Sequence, residues 1–149
     1  MIEVGIKHLI SGQTPIVGDA DRLAARDALV AMIGQRFHPV GEVPENPEFP
    51  YVTYQRISTK EFSDVAGGSR TQKGRFQLDC WTQSYLGAMQ LADLFRRTLS
   101  GYRGDMGDFT NVSAVRDDQF ADYEPPQSGQ AKGEFRRIEQ YFIFWNEVN

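Results

Sequence analysis

Apolar positions along the chain fall into two periods. Ile2, Ile6, Leu9 and Ile10 recur at helical spacing and predict a short first helix. Gln13 to Gly18, with Pro15, reads as a break. Asp19 or Asp21 is placed to cap a second helix that runs to about Ile33 with Ala25, Leu29, Met32 and Ile33 as its stripe, and Gly34 ends it. Ser84 and Gly101 bracket the clearest helix, with Ala88, Leu91, Ala92, Phe95 and Leu99 on one side. Arg96 and Arg97 lie in its last turn, where cations suit the helix dipole.

Between these helices the period shortens. Tyr51 to Ile57 is a β-rich run entered through Pro50. Gly74 to Trp81 alternates, with Phe76, Leu78 and Cys80 on one face and Arg75, Gln77 and Asp79 on the other. A further strand is predicted around Asn111 to Arg116, followed by an acidic stretch, Asp117 to Glu124, read as a solvated loop. The last strand, Phe135 to Glu147, puts Ile138, Phe142 and Phe144 on one face and Tyr141, Ile143 and Trp145 on the other. Both faces are apolar near its end, whereas a one-sided antiparallel sheet is polar outside. An internal helix or a second subunit is therefore expected to cover the second face. Pro39, Pro44, Pro47 and Pro50 forbid a helix or a central strand over 39–50, which reads as an extended surface connector. Lys60 to Lys73, with Gly67 and Gly68, reads as a long hairpin loop, a kind usually tied to function. The fold class expected is α+β: an antiparallel sheet of about four strands with a long β-hairpin, one amphipathic helix packed on it, and N-terminal helices.

Composition narrows the function. A chain of 149 residues is expected to form a single domain, 1–149. No apolar run approaches the ~20 residues of a membrane helix, so no membrane partner is expected. The first eight residues lack a signal-peptide layout. One cysteine, Cys80, excludes an internal disulfide and a cysteine zinc site. Its place on the Phe76/Leu78 face reads as a buried structural thiol. The net charge of −4 argues against a free-standing nucleic-acid binder. That charge is uneven: residues 51–100 hold seven Lys/Arg against four Asp/Glu, inside an otherwise acidic protein.

Catalytic patterns are missing. His8 and His38 have no acid partner nearby in sequence. Asp117, Asp118, Asp122 and Glu124 lack the calcium-loop spacing. Gly67-Gly68-Ser69 is not a phosphate loop, since no Lys-Ser/Thr follows in register. No enzyme activity, catalytic residue, metal or cofactor is expected. The competing reading is a small α+β ligand-binding domain or enzyme built on His38, Asp79 and the 117–124 carboxylates.

Four ordered segments carry a resemblance. Ile-Gly-Gln-Arg-Phe-His-Pro-Val at 33–40, Phe-Pro-Tyr-Val-Thr-Tyr-Gln-Arg-Ile at 49–57, the strand and helix over 75–102 with Asp79-Cys80-Trp81, and Asp-Tyr-Glu-Pro at 122–125 before the aromatic last strand are similar to the tail-completion proteins of long-tailed bacteriophages. These are also called tail terminators or tail-to-head joining proteins. Phe37-His38 departs from the commoner Ile/Val-Tyr pair, and 19–31 is longer than usual.

The resemblance implies a non-enzymatic virion protein of the tail or neck, assembled in the host cytoplasm. It implies a homo-oligomeric ring, typically a hexamer, that caps the tail tube protein and joins the head–tail connector protein. DNA passes the lumen without sequence-specific binding. A neck or head-closure protein on the connector side is the variant of this reading. Lys60, Glu61, Arg70 and Lys73 of the long loop, and Tyr141, Ile143 and Trp145 of the last strand, are the residues expected to contact a second subunit or a partner.

Overall fold

A computed structural model describes residues 1–61, 71–125 and 133–146. The elements follow in the order α1 (Ile2–Ile10), α2 (Ala20–Ile33), β1 (Phe37–Pro39), β2 (Tyr51–Glu61), β3 (Thr71–Thr82), α3 (Tyr85–Leu99), β4 (Arg103–Met106), β5 (Phe109–Glu124) and β6 (Glu134–Asn146). The six strands form one sheet in the order β1-β2-β3-β6-β5-β4. β1 runs parallel to β2, and every other pairing is antiparallel.

This corrects the expected four-stranded antiparallel sheet with one packed helix. The sheet has six strands and is mixed, and the apolar residues of all three helices share one buried cluster with it. Each added strand has a local cause. β1 occupies an edge, where the missing N–H of Pro39 forfeits no central ladder bond. Its parallel pairing requires the chain to be carried back before β2 begins, and residues 40–50 do this. β4 is short and polar. It forms because Gly107, at φ 58°, turns the chain onto β5, and because Met106 is buried beneath α1.

The acidic stretch expected as a loop is strand. β5 stays in register with β6 as far as Glu124 opposite Glu134, with a bulge between Arg116 and Asp118. Asp117 is offset by Arg75 at 3.1 Å, which makes the charge tolerable on a paired strand. Likewise, the two ends of the expected 60–73 loop are paired strand, with Lys60 opposite Lys73 and Glu61 opposite Gln72, while residues 62–70 of it lie outside the described residues.

The helices end where capping chemistry says they should. Asp19 Oδ1 accepts from the Arg22 amide at 3.0 Å, and Ser84 Oγ accepts from the Gly87 amide at 3.0 Å. Gly34 and Gly101 sit at φ 56° and 75°, conformations that L-residues avoid. Arg22 ties α2 to the end of α3 by donating to the Thr98 and Ser100 carbonyls at 2.7 and 3.1 Å. The guanidinium of Arg26 is buried and donates to the Thr14 and Leu9 carbonyls, which holds the α1–α2 connection. α1 packs on β4 through Gly5, where a Cβ would collide with the Met106 carbonyl.

The two faces of the sheet are therefore distinct. Gly74, Phe76, Leu78 and Cys80 of β3 lie opposite Ile143, Tyr141, Glu139 and Arg137 of β6, on the face that the helices cover. The alternate residues make up a helix-free face.

Candidate functional site

The register assembles the helix-free face row by row. At one end of the strands a single cross-sheet row runs Lys60, Lys73, Phe144, Ser113, Arg103. The row beneath it runs Ser58, Arg75, Phe142, Val115. Further down lie Gln55, Gln77, Gln140 and Asp118, then Thr53, Asp79 and Ile138, and finally Tyr51, Trp81 and Arg136. With strands about 4.8 Å apart, Lys60 and Arg103 stand roughly 19 Å from one another.

The two ends differ in cover. At the lower end Tyr51, Thr53, Asp79 and Ile138 are buried, and Val40, Gly41 and Val43 line a cleft of about 340 Å³ with Thr53, Asp79 and Trp81. At the upper end Val115 is 50% exposed and Ile57 45%, and Phe142 and Phe144 are half-buried. The cations are organised around the two phenylalanines. Lys73 Nζ lies 4.1 Å from the Phe142 ring centroid and 5.6 Å from that of Phe144, and the Arg75 guanidinium is 5.0 Å from Phe142. The result is a patch of exposed apolar surface framed by positive charge, a composition typical of binding surfaces.

The residues expected at contacts divide between two places. Lys60 and Lys73 face each other across β2 and β3 in the uppermost row. Glu61 pairs with Gln72, one position on and therefore on the opposite side of the pleat. Arg70 lies outside the described residues. Tyr141, Ile143 and Trp145 require correction. They are 0–1% exposed within this chain, under the helices, and do not form a free surface. The Trp145 indole meets Phe76 edge-on at 6.1 Å and carries the Arg56 guanidinium 5.3 Å from its centroid. The apolar residues left uncovered on β6 are the other alternating set, Phe142 and Phe144. Arg75, Val115 and Arg103 join them. The alternation of β6 already grouped the two phenylalanines, whereas nothing in the local sequence marked Arg103, because its place depends on an edge strand that pattern alone does not reveal.

The residues of the enzymatic alternative are dispersed along the same face. His38 is opposite Thr53, which is opposite Asp79. Burial, then the positive charges of Lys7 and Arg36, lower the His38 pKa. Burial raises that of Asp79, against the Gln77 amide at 2.9 Å and Arg136 at 3.6 Å. Asp117 is held by Arg75. Cys80 is fully buried, and burial pushes its thiol far from the ionised form. The Glu139 carboxylate lies on the covered face between Arg116, at 3.0 Å, and Arg137; burial still raises its pKa. Among the described residues no group of three or more His, Cys, Asp and Glu is placed to hold a metal ion, and no helix is long and apolar enough to cross a membrane.

Comparison with known proteins gives a family match and a likeness among solved structures. The family model described as Tail completion protein gp17 matches residues 20–145. Among solved structures, a chain described as "Virion of native gene transfer agent (GTA) particle" is similar with a TM-score of 0.58 and 18% identity, over 96% of this chain and 95% of that one. At that identity the likeness is one of fold. No curated protein matches.

Proposed function

The chain belongs to the Tail completion protein gp17 family of phage virion structural proteins, and from that premise we propose that it caps the tail tube as an oligomeric ring and joins the tail to the head connector. The observation that carries this reading is the upper half of the helix-free sheet face. A self-sufficient sheet has no need of half-buried phenylalanines and an exposed valine in a frame of cations. Such a surface suits repeated contact with other protein chains. Lys60, Lys73, Arg75, Phe142, Phe144 and Val115 are the contact residues in this account.

Three further observations support it. The structural neighbour, described as part of a gene transfer agent virion, has a similar fold, which supports a virion role for this one. One buried cluster draws on α1 through β6, which supports reading residues 1–149 as one domain that assembles by its surface. A net charge of −4 suits a conduit, since like charge keeps DNA moving through the lumen without sequence-specific binding.

Size-exclusion chromatography with light scattering, alone and with tail tubes added, tests the assembly. The expected result is a closed oligomer on the tube end. A chain that stays monomeric at high concentration and leaves tubes uncapped refutes the ring. In particles lacking the protein, overlong or unjoined tails are expected, whereas tails of normal length beside heads that leak DNA reassign it to the neck.

A further inference from the structure

Two features of the helix-free face lie at opposite corners and complement each other. The first is the connector over residues 40–50. Between Arg36 and Arg56 the chain contains Glu42, Glu45 and Glu48 and no lysine or arginine. All three glutamates are exposed, and so is Val40, at 51%. Glu48 lies 3.7 Å from Arg36, and among the described residues Glu42 and Glu45 have no ion-pair partner. The second is the uppermost row, where Lys60, Lys73 and Arg103 flank Phe144 and Ser113.

The two features do not meet within one chain. The start of the connector lies against the lower rows, beside Thr53, Asp79 and Trp81. Lys60 stands five residues beyond Gln55 on β2, roughly 17 Å further up the strand. Glu42 and Glu45 stand at most roughly 10 Å apart, within the roughly 19 Å that the basic row offers.

Resting on the ring reading above, we propose that the acidic connector of one copy docks across the basic row of the next. Glu42 and Glu45 face Lys60, Lys73 and Arg103, and Val40 and Val43 cover the exposed edges of Phe144 and Val115. The occupant is a second copy of this chain because the chain itself supplies the matching segment, in charge and apolar content. The contact joins different surfaces on the two copies. It is therefore heterologous and propagates head to tail, the arrangement that closes into a ring. Exposed ion pairs are weak one at a time, so the row acts as a set together with the apolar contact.

The test is a labelled peptide of residues 38–50 titrated into the full-length chain and followed by fluorescence anisotropy. Saturable binding is expected, weakened about tenfold by Lys73→Glu with Arg103→Glu. A peptide carrying Glu42→Lys and Glu45→Lys is expected to bind the reversed variant and not the native chain. Circular dichroism checks the fold, and Lys60→Glu, at an exposed position, serves if the double variant does not fold. No saturation, equal binding of both peptides, or a row that binds duplex DNA and no peptide overturns the proposal. Light scattering separates it from the ring reading. Oligomers that persist in the reversed variant overturn these surfaces and leave the ring. A chain that never assembles yet binds the peptides as expected refutes the ring and supports the docking surfaces.

Discussion

Trp145→Ala separates the covered face of β6 from the open one. The indole is 1% exposed and touches Phe76 at its edge, and a Cβ placed on Gly74 would come within 3.0 Å of its ring. Trp→Ala at such a site costs about 3–5 kcal/mol through lost transfer energy and an unfilled cavity. The Arg56 guanidinium, 5.3 Å from the indole centroid, loses one of its two stacking partners, which adds about 0.5–1 kcal/mol. About 4 kcal/mol is a large share of the ~5–15 kcal/mol that holds a domain together. It corresponds to a fall in Tm of about 8–16 °C for a chain of this size.

The assay is urea denaturation of the isolated chain, held dilute enough to be monomeric, with Phe142→Ala in parallel. Phe142 is half-buried on the helix-free face, so its loss is expected to cost about 1 kcal/mol in the monomer and to impair assembly more. A Trp145→Ala loss under about 1 kcal/mol in the monomer, with assembly abolished, would refute the division of faces and put the indole at a subunit boundary.

Two further outcomes are expected. Asp79→Asn tests the burial of a charge: burial raises the carboxyl pKa in the folded chain, so the native state holds the proton more tightly than the unfolded one. The ionised group therefore costs stability at neutral pH, and that cost fades as pH falls through the folded pKa towards the ordinary value of 3.8. The stability of the Asn variant relative to the native chain is expected to be highest near pH 7 and to decline with acidification in denaturation midpoints; a pH-independent difference would contradict the burial. Gly5→Ala drives a methyl into the Met106 carbonyl and is expected to cost about 1–3 kcal/mol, with amide exchange in α1 and β4 accelerated first. Unchanged exchange in these two elements would show that α1 does not pack there.

Much of the element list was legible. The caps at Asp19 and Ser84 and the glycines at 34 and 101 are local chemistry, readable from a few neighbours. β1 and β4 were not, because each is too short, at three and four residues, to show a period and is made a strand by its partner. The acidic run of β5 misled for a related reason: its charges read as solvated until Arg75 is brought across the sheet to meet Asp117.

What the sequence alone determined is membership. A period of two states that Tyr141, Ile143 and Trp145 share one face and Phe142 and Phe144 the other, and that both are apolar. It carries no sign, and so does not say which face the helices take. The tertiary structure decided that through register. Pairing β6 with β3 puts Tyr141 and Ile143 beside Phe76 and Gly74, on the face whose apolar residues join the helices in one buried cluster, and Trp145 beyond them under the Arg56 guanidinium; Phe142 and Phe144 are left among Lys73, Arg75 and Val115. The strand was expected to have an apolar face to spare, and it does, but it is the opposite one.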